Sequence, residues 1–165
     1  MIETVALDLA AELGRRLAAR GWLCVTAESC TGGLVAGAIT AIAGSSDWFE
    51  RGFVTYSNAA KHEALGVPQN VLERFGAVSE ATARALATGA LARSRSDIAV
   101  AVTGIAGPGG GSAAKPVGMV CFAWALRDGP VESATRQFPG DRAAVRVASV
   151  EAALAGLTAR IPPAG

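Results

Sequence analysis

Three short segments of this 165-residue chain concentrate the side chains that could do chemistry. They are Thr26-Ala27-Glu28-Ser29-Cys30-Thr31-Gly32-Gly33, Tyr56-Ser57-Asn58-Ala59-Ala60-Lys61, and Thr103-Gly104-Ile105-Ala106-Gly107-Pro108-Gly109-Gly110-Gly111. The first runs from an apolar stretch into an Ala-rich helix. Unpaired backbone N–H groups and the positive end of a helix dipole favour anions at such a junction. Gly32 and Gly33 let a ligand approach the backbone closely. On one reading Ser29 is a nucleophile beside a ready oxyanion hole; on the other, Ser29 or Thr31 merely caps the helix.

The second segment bears on which reading holds. The chain has a single histidine, His62, next to Lys61, so a Ser-His-Asp triad would have to use that ring. A lysine serves as base instead only if its pKa falls from about 10.4 towards 7, at a cost of about 4.6 kcal/mol. A helix N-terminus beside Lys61 disfavours the cation by only about 0.3–1 kcal/mol. Burial must supply the rest. Tyr56, expected at a strand end, could relay a proton or hold the lysine. Cys30 is an alternative nucleophile, but no histidine is obviously placed to activate it. His62 lacks the partners of a metal site.

The third segment is not a Walker A loop, because no Gly-Lys-Ser/Thr follows, and it is not a GxGxxG turn before a helix. Its glycines expose backbone amides suited to a phosphate or a flat ring. As an alternative it is a plain flexible connection.

The elements that must position these segments follow from apolar periodicity. Val5, Leu9, Leu13 and Leu17 predict the buried face of an opening helix closed by Gly21, and residues 22–26 a buried strand. A helix over 34–42 follows, then a strand over 52–56. Ser57 or Asn58 should cap a short helix over 59–65. Pro68 opens another short helix ending near Gly76, and Ser79 caps a long one to Arg93. Strands are expected at 98–102, 117–126 and 131–138, with a hairpin turn at 127–130. The last helix starts near Asp141 and buries Val147, Val150, Leu154, Leu157 and Ile161. The alternation predicts an α/β fold, a three-layer α/β/α sandwich over a mixed, mostly parallel five-stranded sheet in one domain spanning 1–165. Loops after three parallel strands emerge at one sheet edge, so the three segments should converge on one crevice.

Bulk properties limit the partners. Hydrophobic residues make up 51% and aromatics 5%, so Ala, Val, Leu and Ile must build the core. A net charge of +1 points to neither nucleic acid nor an acidic membrane. No apolar stretch is long enough to span a bilayer, and the first residues lack a signal-peptide pattern. Cys24, Cys30 and Cys121 are an odd set without metal spacing, consistent with a reducing cytoplasm.

Several motifs in order carry a resemblance: TAESCTGG, YSNAAK, VSEATARALA, TGIAGPGGG followed by KPVG, and FPGDRAAVR. Over about residues 5–160 the chain resembles the C-terminal domain of the competence/damage-inducible CinA family. Since the motifs match the C-terminal domain alone, without the N-terminal partner domain of full-length members, the stand-alone form is the expectation. The resemblance implies hydrolysis of the carboxamide of nicotinamide mononucleotide, with Ser29, Tyr56 and Lys61 as the catalytic set and no cofactor or metal. It implies that amides near Cys30, Thr31 and Gly32 meet the oxyanion. It implies substrate contacts from Asn58, Thr103, Gly104, Gly107, Gly109 and Gly110, with Arg142 or Lys115 reaching the phosphate. A homo-oligomer, a dimer for preference, is also implied. Ser112-Ala113-Ala114 departs from the family pattern, which often has an acid just before the KPVG lysine. The rival expectations are a non-catalytic nucleotide-binding module and hydrolysis of another small amide or ester.

Overall fold

The computed structural model describes residues 2–164. Helix α1 (Thr4–Arg20) leads to β1 (Cys24–Glu28), α2 (Leu34–Thr40) and, after a single 3-10 turn, β2 (Phe49–Val54). Three helices follow, α3 (Asn58–Leu65), α4 (Gln69–Phe75) and α5 (Glu80–Ala92). Strands β3 (Ile98–Gly104), β4 (Met119–Leu126) and β5 (Val131–Gln137) precede α6 (Arg142–Arg160). The sheet order is β2-β1-β3-β4-β5, with β2, β1 and β3 parallel and the last two junctions antiparallel. The expected α/β/α sandwich and mixed five-stranded sheet are therefore present.

The central strands are apolar on both faces because each face packs on helices. From β3, Ile98, Val100 and Val102 enter one core, while Ala99 and Ala101 enter the other. The first core lies against α1, α2 and α6 and takes Phe122, Trp124, Leu154 and Leu157. The second lies beneath α5 and is built mostly of alanine, with Leu65 and Leu86. Small side chains bring α5 close to the sheet and to its neighbours. A Cβ added at Gly89 on α5 would overlap the Leu65 carbonyl oxygen at the end of α3.

Caps follow the sequence reading in most places. Ser57 Oγ accepts from the Ala60 amide, Ser79 Oγ from Thr82 and Asp141 Oδ1 from Ala144. Gly21 closes α1 with a φ of 65°. Three expectations fail. Val5 is 55% exposed, and α1 instead buries Ala6, Ala10, Leu13 and Leu17. At 3.6 residues per turn a strict four-residue repeat drifts by about 40° per step, so Val5 lies about 120° from Leu17. Strand β2 is displaced towards the N-terminus, and Val54, not Tyr56, ends it. Val147 is only half-buried, whereas Val145 and Ser149 lie within the α6 seam.

Candidate active site

The three loops do meet at the carboxyl edge of the parallel strands. Ser29 follows β1, with its amide donating to the Val102 carbonyl of β3 at 2.9 Å. Lys61 sits one turn into α3, where the Ser57 cap fixes its backbone. Its Nζ lies 3.0 Å from Ser29 Oγ and donates to the carbonyls of Thr55 (2.9 Å) and Tyr56 (3.0 Å). Lys61 is 1% exposed and Ser29 8%. The serine and the lysine both line a cleft of about 240 Å³.

This arrangement has a definite protonation logic. A neutral amine has two N–H bonds and one lone pair. The two backbone carbonyls take both N–H bonds, which leaves the lone pair towards Ser29 Oγ–H. Removal from water pulls the Lys61 pKa down, and the nearby Cys30 opposes this in part. No carboxylate among the described residues lies within 4 Å of Nζ to stabilise the ammonium. Cys30 Sγ behaves oppositely. Burial, aided by the charge of Glu28, pushes its thiol up to about 11, so it is protonated at neutral pH. The charges of Arg146 and Lys61 offset this burial only in part.

Around the pair, Cys30, Tyr56, Thr103, Gly104, Gly107, Gly109, Gly110 and Arg142 line the cleft. Of the two roles weighed for Tyr56, the backbone serves the second, holding the lysine. Its side chain is 62% exposed, and it is its carbonyl that holds Lys61. The phenol oxygen accepts from Arg142 Nη2 at 3.1 Å, and Arg142 Nη1 donates to the Gly107 carbonyl at 2.8 Å. Thr103 Oγ1 donates to the Ala77 carbonyl, tying a further wall segment to β3.

Thr31, Gly32 and Asn58 are not brought into the cleft. Thr31 is buried, and its hydroxyl donates to Glu28 Oε1 at 2.6 Å. The Gly32 amide donates to the Ser29 carbonyl, so it is not free for an oxyanion. Asn58 borders a separate cleft with His62, Glu63 and Glu73. Lys115 Nζ donates to the Phe75 carbonyl at the end of α4 and does not line the site.

Neither Ser29 nor Thr31 caps α2, as the helix-cap reading had it. Gly33, with a φ of 103°, is the N-cap and has no side chain to offer. Glu28 takes over that role, its carboxylate accepting from the amides of Val35 (2.9 Å) and Ala36 (3.0 Å). The sequence reading missed this residue and Arg146, whose guanidinium donates to the carbonyls of Cys30 and Thr31. A signal existed for both. An acid three residues before a threonine and a Gly-Gly pair can only cap from the strand side. Arg146 lies four residues after Arg142, on the same helix face. Ala77, Val78, Ile105 and Ala106 complete the cleft wall.

Fold and site together define a three-layer α/β domain with a buried serine–lysine pair at the switch edge of its sheet. The chain belongs to the CinA family, since the CinA C-terminal domain model matches residues 6–161. It is 60% identical over 140 residues to nicotinamide-nucleotide amidohydrolase PncC of Enterobacter agglomerans, covering 85% of each chain. A CinA-like protein of Akkermansia muciniphila is 57% identical over 132 residues, which are 80% of this chain but 32% of that longer protein. The crystal structure of the competence/damage inducible protein CihA from Agrobacterium tumefaciens superposes with a TM-score of 0.93. It is 51% identical, with 96% of this chain and 97% of that one covered. No helix among the described residues is long and apolar enough to cross a membrane.

Proposed function

We propose that this chain is a nicotinamide-nucleotide amidohydrolase that converts nicotinamide mononucleotide and water to nicotinate mononucleotide and ammonia. The observation that carries this reading is the 3.0 Å contact of buried Lys61 Nζ with Ser29 Oγ in a cleft rich in backbone amides. The names borne by relatives at 60% and 54% identity supply the substrate.

Neutral Lys61 accepts the Ser29 proton as Oγ bonds to the carboxamide carbon. The oxyanion meets the amide of Cys30, the residue after the nucleophile, which donates to no backbone carbonyl among the described residues. The Lys61 ammonium then returns a proton to the leaving nitrogen, the C–N bond breaks and ammonia departs. Water attacks the acyl carbon and gives a proton to Lys61. The acid is released as the Oγ–C bond breaks and Ser29 regains its proton. Tyr56 acts through its carbonyl as the lysine's support. Arg142 meets the phosphate, together with the amides of Gly107, Gly109 and Gly110, none of which donates to a backbone carbonyl among the described residues.

The same reading includes a cytoplasmic setting for the three free thiols and a homodimeric assembly. The test is ammonia release from nicotinamide mononucleotide, with Ser29→Ala abolishing it in a protein of unchanged circular dichroism. Wild-type protein that binds the nucleotide without releasing ammonia would instead be a non-catalytic nucleotide-binding module.

A further inference from the structure

Residue Glu28 ends β1 with a fully buried carboxylate, and among the described residues no cation lies within 4 Å of it. A buried charge is kept only where fixed donors replace water. Three do so here: Thr31 Oγ1 at 2.6 Å, the Val35 amide at 2.9 Å and the Ala36 amide at 3.0 Å. The donors all lie after the nucleophile and the acceptor immediately before it. The side chain therefore spans the Ser29–Gly33 turn and ties its two ends together.

The turn needs such a tie because its own residues cannot supply one. Gly32 and Gly33 have φ values of 58° and 103°, a region L side chains rarely adopt, so the position where a capping serine or aspartate would stand must be glycine. On the opposite side, Arg146 Nε and Nη2 donate to the carbonyls of Cys30 (3.2 Å) and Thr31 (3.4 Å). A trans peptide points its N–H away from its C=O. The amides that follow those two carbonyls are thereby turned from Arg146. We infer that Glu28 is a positioning residue for the Ser29 nucleophile. Through Thr31 and the first amides of α2 it sets the turn so that Oγ faces Lys61 Nζ and the Cys30 amide stays free. It also occupies the α2 terminus, so that helix end is closed to a substrate anion.

The inference rests on the serine–lysine reading of the site, and two measurements separate the two. Crystal structures of the wild type and Glu28→Gln give the Ser29 Oγ to Lys61 Nζ distance without any assay. Gln keeps the shape but presents an NH2 group to one of the two helix amides. The distance is expected to lengthen beyond hydrogen-bond reach. In parallel, ammonia release should show kcat reduced at least tenfold with KM within twofold. Thr31→Val removes one of the three donors while keeping the carboxylate, and should lower kcat severalfold. Thr31→Ser, which restores the hydroxyl, should recover it. These two variants carry the test if Glu28→Gln does not fold. An unchanged distance, or kcat equal to wild type at lowered thermal stability, would make Glu28 a structural cap only and overturn the inference. Wild-type protein that releases no ammonia would remove the assigned reaction, and the distance would still decide whether Glu28 sets the turn.

Discussion

Replacing Lys61 by methionine tests the chemistry most directly, because it keeps an unbranched side chain of similar length and removes the base. At its unperturbed pKa of about 10.4, roughly one lysine in 2,500 is neutral at pH 7, and each unit of lowering raises that fraction tenfold. The structure provides the lowering through burial, with carbonyls at 2.9 and 3.0 Å holding the neutral form's two N–H bonds. General-base catalysis contributes about 10²–10⁴-fold, so Lys61→Met should lose at least about 10²-fold in kcat. In the wild type, kcat/KM should fall tenfold per pH unit on the acid side of a single limb that is absent from the variant. That limb should move steeply with temperature, as an amine does and a carboxylate does not. Stability gives an independent readout of the same group. The folded pKa lies below the unfolded one, so between the two values the unfolded chain holds more protons and unfolding free energy rises with pH. Below that window the desolvation penalty is present in full. Urea denaturation across pH should show this rise in the wild type and not in Lys61→Met. Turnover above a tenth of wild type in the variant, or a wild-type profile flat from pH 6 to 9, would refute the base assignment.

Cys30→Ala should keep turnover within severalfold. Iodoacetamide at pH 7 should label Cys30 slowly, since a thiol with a pKa of about 11 has about one thiolate in ten thousand there. Arg142→Met should raise KM for nicotinamide mononucleotide by roughly 10- to 150-fold, the worth of a hydrogen bond to a charged group, and leave the phosphate-free nucleoside unaffected. A matched loss on both substrates would instead point to the Tyr56 and Gly107 contacts. Gly89→Ala should destabilise by about 1–3 kcal/mol in urea titration through overlap with Leu65, partly offset by the better helix propensity of alanine. It should also lower kcat, because Leu65 ends the helix that carries Lys61.

The layers and the loop convergence were legible because buried parallel strands read as unbroken apolar runs and their loops fall at one edge. The start of β2 was not legible. Glu50 and Arg51 lie on an edge strand whose exposed face imposes no apolar alternation, and Gly52 is small to clear Thr26 on β1. Ser29 and Lys61 could be picked out as candidates by residue type, but the burial of Lys61 could not. It depends on a cap at Ser57, on the carbonyls of Thr55 and Tyr56, and on the packing of α3 against α5. The work of Glu28 was hidden for a related reason. Its partners lie three to eight residues away, across a turn whose handedness depends on two glycines.

Lys61 reaches Ser29 from helix α3, Ser29 stands in the turn after β1, and the Ser29 amide is held by β3. Transplanting the eight residues Thr26–Gly33 into another strand–turn–helix would therefore carry over a cap and a serine without a nucleophile. A host would need a parallel neighbour to anchor Ser29, a helix bringing a dry lysine from the far side, and a guanidinium to grip the turn. The smallest portable unit is the sheet edge with three of its helices, and that is most of the domain.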